Sequence, residues 1–269
     1  MIKRVMALAL LMCLLCSAAL AAETPTPLPR MIGQEVVAPP AIIQDALNIA
    51  YSEWENLAGT TLKKVNKFTE WRGKGVGFGW CGGYITWCML EAGVPMEELE
   101  FFKDAAKGAE DGTVSMEGVF HVKEASVGKL LRGYQIMNRS TQMPQPGYLL
   151  VYGCAYNKTI HVGLVYDVQP LGNGKFRLTT LEGNMSNRVK MYVHDYDMFA
   201  EDQEANLSLV PEAERTREET ADFNYTIPAS TPNGKSGGKT YNYYVNCFLM
   251  PWVPDDPVND TTTPTPPAN

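Results

Sequence analysis

The hydrophobic periodicity of this chain changes character once, at the turn PQPG (144–147). Before it, the stretch AIIQDALNIAYSEWENLAG sets Ile42, Ile43, Ala46, Leu47, Ala50, Tyr51 and Trp54 at helical spacing, with Gly59 as a stop. Shorter helices are expected at EELEFFKDAAK (97–107) and VKEASVGKLLRGY (122–134). After the turn, YLLVYG (148–153), TIHVGLVYDV (159–168) and KFRLTTLEGN (175–184) read as strands, with LGNG (171–174) as a turn and YNYYVNCFLMPWV (241–253) as a last strand. Helices first and strands second predict an α+β fold, N-terminal helices packed on an antiparallel β-sheet.

The ends do not share this patterning. Residues 1–22 carry two cations (Lys3, Arg4), an apolar run and a small-residue end, which is the pattern of a cleaved secretory signal peptide. Residues 23–40 are proline-rich and aperiodic, a linker, and residues 254–269 read as a disordered tail. Between them, 41–253 is long enough for one domain with a full core, interrupted by a charged, Gly/Ser/Asn-rich insertion near 200–240.

Loss of residues 1–22 removes two cations and no acids, moving the net charge from −7 to −9. The remaining cations are scattered, so a nucleic-acid or anionic-membrane partner is not expected, since both require clustered Lys and Arg. A monomer is expected.

Four cysteines lie beyond residue 22: Cys81, Cys88, Cys154 and Cys247. They are too few for a disulfide scaffold in a chain of this length, and they form no CxxC pair. Seven helical residues place Cys81 and Cys88 about 10 Å apart, beyond disulfide reach. The pairing of Cys154 and Cys247 is left open by their spacing.

Cys81 follows a run of glycines and opens a helix in FGWCGGYITWCMLEAG (78–93). A helix N-terminus lowers a thiol's pKa and presents a free N–H to a developing oxyanion. Burial as an inert core residue is the alternative. A thiol nucleophile needs a base, and the chain has three histidines. His121 and His194 lie in segments without a clear pattern. His161 heads a strand, where alternation sets it on one face with Gly163 and Val165. On the next strand Glu182 and Asn184 lie two residues apart, and either side chain would hold the imidazole. Each has an ordinary structural reading when taken alone. Their order, Cys, His, Glu/Asn, makes them a constellation.

Five stretches in order, VNKFTEW (65–71), GWCGGYITWCMLEAG (79–93), PGYLLVY (146–152), HVGLV (161–165) and TLEGNMSN (180–187), resemble the CHAP family of cysteine, histidine-dependent amidohydrolases/peptidases. That family's pattern runs NKYTxW, PWCxxFVSWCxxxAG, PGD before an apolar strand, HVGIV, and a strand ending in EGN. The resemblance implies a papain-like fold, with Cys81 as nucleophile, His161 as general base and then acid, and Glu182 and Asn184 orienting His161. It also implies a secreted enzyme that hydrolyses amide bonds of peptidoglycan, or of another peptide substrate, through an acyl-enzyme; no cofactor or metal site is expected, and calcium, which some members of the family bind, stays open, although no DxDxxxG-like loop is present. Trp80, which precedes the nucleophile, is the candidate substrate contact. A CHAP-like domain that binds peptide, glycan or a partner with little turnover is the competing reading. Two departures stand out: Tyr148 replaces the aspartate of PGD, and the glycines Gly82 and Gly83 predict a looser first helical turn.

Overall fold

A computed structural model describes residues 35–210, 224–226 and 238–254. The expected signal segment, most of the linker, much of the expected insertion and residues 255–269 of the tail lie outside the described residues.

The helical half comes first, as its periodicity predicts. Helix α1 (Ala41–Asn56) buries Ile43, Ala46, Leu47 and Ala50, one stripe at offsets of three, four and seven. A single-turn helix, α2 (Lys67–Glu70), follows, and then α3 (Cys81–Glu91), which opens at the cysteine. The Tyr84 hydroxyl donates to the Ala50 carbonyl at 2.7 Å and ties α3 to α1. Strand β1 (Met96–Glu97) pairs in parallel with β2 (His121–Val122), on either side of helix α4 (Leu99–Lys107). Helix α5 (Val127–Ile136) completes this half.

The remaining strands are β3 (Ser140–Thr141), β4 (Leu149–Cys154), β5 (Asn157–Gly172), β6 (Lys175–Met185), β7 (Arg188–Asp197), β8 (Leu207–Leu209), β9 (Asn224–Thr226), β10 (Thr240–Asn242) and β11 (Tyr244–Leu249). Seven of them form one sheet in the order β3-β11-β4-β5-β6-β7-β8, with every neighbouring pair antiparallel. β9 and β10 pair separately. The protein is therefore α+β, with a seven-stranded antiparallel sheet and several helices.

The sheet curls until its two sides touch. Asn206 grips the backbone of Val245 on β11, donating from Nδ2 to its carbonyl at 2.9 Å and accepting its N–H on Oδ1 at 2.8 Å. Beside this clamp the Tyr196 ring on β7 meets Phe248 on β11 edge to face at 5.4 Å, and the Tyr196 hydroxyl donates to the Gln142 carbonyl at 3.0 Å. Strand β4 is consequently buried along its whole length.

Three boundaries differ from the sequence reading. The segment 203–209 is part of the sheet's closure, through a short 3-10 turn (Gln203–Ala205) and β8, so the expected insertion near 200–240 does not begin at 200. The expected last strand is two, β10 and β11, in different sheets. The end of the expected linker is held by the domain: Gln145, which is 1% exposed, accepts the Val37 N–H at 2.9 Å and donates to the Glu35 carbonyl at 2.8 Å.

Candidate active site

The tip of α3 is fixed by the segment before it. In the sequence NKFT, Asn66 accepts the Phe68 N–H at 2.9 Å, while Thr69 Oγ1 accepts the Asn66 N–H at 3.1 Å, a reciprocal cap that sets the one turn of α2. That turn drives Phe68 into an aromatic cluster, stacked on Trp80 at 5.4 Å and edge-on to Tyr84 and Trp87. Trp80 is fully buried. Its indole serves as the packing anchor of the helix tip, which corrects its assignment as a substrate contact: no face of the ring is open.

The glycines after Cys81 pack tightly where a looser turn was expected. A Cβ at Gly82 would lie 2.4 Å from the Ala125 carbonyl oxygen, and one at Gly83 would lie 2.7 Å from that of Phe68. The backbone of α3 approaches both segments directly, and only glycine allows the contact.

His161 reaches the site from the hairpin β4–β5, whose register sets it directly opposite Tyr152. Its Nε2 is 2.5 Å from Glu182 Oε2 on β6. With Nε2 engaged by Glu182, the other ring nitrogen is the one free to serve Cys81, and the thiol and imidazole are close enough to shift each other's ionisation. Two further glycines make this convergence possible. A Cβ at Gly163 would sit 2.3 Å from Glu182 Oε1, so the carboxylate occupies the place of a side chain. A Cβ at Gly183 would lie 2.4 Å from Tyr84 Cβ, so β6 touches α3 one turn from Cys81.

Asn184 does not act as the alternation argument expects. Its φ of 63° is left-handed, and the strand pairing is irregular between Glu182 and Met185. The side-chain amide has no hydrogen bond to His161 and lies over Gly79, with Nδ2 3.8 Å from where a Cβ of that glycine would stand. Of the two candidates, Glu182 is the one that reaches the imidazole.

The electrostatics follow from burial outweighed by pairing. Burial opposes a charged imidazole at His161, but the Glu182 carboxylate, together with the hydrogen bond to Cys81, overrides it and lifts the pKa to about 10. Burial also opposes a thiolate at Cys81, yet the hydrogen bond and charge of His161, with the backbone groups of Gly82 and Val162, bring its pKa below the usual thiol value. Glu182, fully buried, is held below the usual carboxylate range by the charge and hydrogen bond of His161 and by the Tyr152 hydroxyl, against its own desolvation. The arrangement favours a thiolate–imidazolium pair, and Cys81 remains half-buried rather than sealed. Cys88, seven residues on, is fully buried, and desolvation holds its thiol well above the usual value.

Cys81, His161 and Glu182 thus converge as the sequence order suggests, while Trp80 and Asn184 face elsewhere. Sequence reasoning missed Tyr152 and Gly163. Both lie in stretches that carry the resemblance, PGYLLVY and HVGLV, but the resemblance assigns neither a role, and the β4–β5 register that brings Tyr152 to His161 is a pairing that local patterning does not encode. Cys154 and Cys247 are free, and burial pushes the Cys247 thiol up to about 12. No family model matches this sequence, nor does any curated protein or solved structure.

Proposed function

We propose that the protein is a secreted cysteine amidohydrolase/peptidase of CHAP type, with a papain-like arrangement, that cleaves amide bonds of peptidoglycan. The observation that carries this reading is the line Cys81–His161–Glu182, an activated thiol at a helix N-terminus whose histidine is held by a buried carboxylate. In the reaction the Cys81 thiolate adds to the amide carbonyl. The oxyanion forms beside the first N–H groups of α3, which have no partner within the helix. The imidazolium of His161 gives its proton to the departing nitrogen, the C–N bond breaks and a thioester remains. Neutral His161 then takes a proton from water, the hydroxide adds to the thioester, and thiolate and carboxylate product separate. Glu182 stabilises the imidazolium in the first half and fixes the ring in both. The resemblance in motif order supplies the substrate class, and the expected signal segment (1–22) supplies the location.

The test is incubation of the purified protein, without residues 1–22, with peptidoglycan of several chemistries, reading released fragments and new amines by mass spectrometry. Release that vanishes in Cys81→Ala is the expected result, and the fragment masses name the bond cut. No release from any wall, or equal release by the variant, overturns the proposal.

A further inference from the structure

A buried carboxylate has two oxygens to satisfy, and in Glu182 each has a different task. Oε2 faces His161 at 2.5 Å, while Oε1 accepts the Tyr152 hydroxyl at 2.6 Å. Glu182 is 0% exposed, so no bulk water replaces a lost partner. The terminal torsion of a glutamate is broad, so the covalent chain does not fix the carboxylate plane. Gly163 leaves open space where a Cβ would otherwise press on Oε1. What locks the plane is the Tyr152 hydroxyl, with Thr180 giving further support.

We propose that Tyr152 is a positioning residue of this site: its hydroxyl holds one oxygen of Glu182 so that the other stays on His161. The proposal rests on the cysteine-hydrolase reading above and adds a fourth member to it. Tyr152 reaches both partners. It is the cross-strand neighbour of His161, its ring centroid lies 5.5 Å from the imidazole at an interplanar angle of 31°, and it is fully buried. Burial, and then the neighbouring carboxylate, keep its phenol protonated, so it donates throughout the working range. The other polar groups around Glu182 are placed differently: Thr180 gives its further support from the same strand, two residues away. Tyr84 on α3 is committed to the Ala50 carbonyl, His194 on β7 stands 3.4 Å from the Tyr152 oxygen, Tyr192 stacks on His194, and Lys190 is the cross-strand neighbour of Glu182. If Tyr152 were only a core residue with a satisfied hydroxyl, its loss would lower stability and leave the chemistry alone.

Tyr152→Phe separates the two cases, because the ring stays and the hydroxyl goes. The readout is the pH dependence of Cys81 alkylation by iodoacetamide, which needs no substrate, followed by kcat and KM on peptidoglycan. A carboxylate released by Tyr152 turns from His161 and the imidazolium loses support. The acid limb of alkylation is then expected to move up by about one pH unit, so that the rate at any pH on that limb falls about 10-fold. kcat is expected to fall at least about 10-fold with KM within about 2-fold. In a Glu182→Gln background the same substitution is expected to change nothing further. A profile superimposed on that of the unchanged protein, or an effect additive with Glu182→Gln, overturns the proposal. Fast alkylation in the unchanged protein confines that failure to Tyr152, whereas slow alkylation of its Cys81 together with no wall release overturns the hydrolase reading as well. Should Tyr152→Phe not fold, 3-fluorotyrosine placed at 152 keeps the ring and makes the hydroxyl a stronger donor. The acid limb is then expected to move down, and an unmoved limb overturns the proposal.

Discussion

His161 and His121 are both buried, at 6% and 0% exposure, and burial alone would keep both neutral. They end in opposite states because of what faces them. His161 meets a buried carboxylate and a thiol, and its pKa rises to about 10. His121 meets hydroxyls: Nε2 is 2.9 Å from Thr86 Oγ1 and Nδ1 is 2.8 Å from the Tyr134 hydroxyl. Thr86 gives its own proton to the Glu124 carbonyl at 2.6 Å, so it accepts from Nε2–H, and Nδ1 accepts from Tyr134. The ring is satisfied as a neutral tautomer, and desolvation takes its pKa down to about 3. One histidine is poised to carry a proton. The other is a strut that joins α3, through Thr86, to β2 and to α5, through Tyr134. Depth does not decide whether a buried histidine is charged or neutral; the charge of its neighbours does.

The sharpest way to break this comparison is to remove each imidazole. His161→Gln is expected to reduce release of wall fragments by roughly 1,000-fold or more while the protein stays folded. His121→Gln is expected to leave turnover within a few-fold but to cost about 1–3 kcal/mol in urea unfolding, because Thr86 and Tyr134 lose a buried partner. A folded His121 variant as inactive as the His161 variant would erase the distinction.

Next in size is Gly163→Ala. The new methyl carbon would stand 2.3 Å from Glu182 Oε1 and displace the group that separates the two histidines. A fall in kcat of about 10- to 100-fold is expected, with the circular dichroism spectrum retained. Full activity would show that the carboxylate need not sit where Gly163 admits it.

The pH responses should be mirror images. Turnover is expected to hold from neutral pH up to a falling limb near pH 10, where His161 loses the proton that the leaving nitrogen needs. Stability near neutrality should barely register this pair, since the Cys81 proton moves to His161 rather than to water. His121 acts on the acid side. Its folded pKa lies below the unfolded value of about 6.5, so its contribution is full above that pH and is lost as pH falls toward about 3. Urea unfolding from pH 6.5 to 4 should therefore show a loss of up to ~1.4 kcal/mol per pH unit that is absent in His121→Gln. Equal acid slopes in the two proteins would mean that His121 protonates in place.

The parts of this site that were legible in the chain are those fixed by local chemistry. Helical spacing gave α1, whose buried stripe is the expected one, and a cysteine at a helix start gave Cys81. Strand patterning gave β4, β5 and β6, and the order Cys, His, Glu/Asn with the family resemblance singled out His161 and Glu182 on them. Failures came where one residue's backbone departs from the regular period or where pairing is distant. Alternation assigned Asn184 to the same side as Glu182, but its left-handed φ breaks the two-residue period. Trp80 reads as a substrate contact because it precedes Cys81, yet it is buried against Phe68, twelve residues earlier. β8 is three residues long inside a polar stretch, too short for any pattern, and is held by its neighbour β7. Tyr152 becomes functional only through a register that local patterning does not encode.

The hold of Gln145 on Glu35 and Val37 sets how far the N-terminus can be trimmed. A truncation anywhere up to Gln34 leaves both bonds of that buried amide intact. A cut between Val37 and Ala41 strips the amide of both partners at 1% exposure and costs about 1–3 kcal/mol. The domain thus sets its own trimming limit, six residues before its first helix, so a protease that nibbles inward from the N-terminus meets rising resistance there.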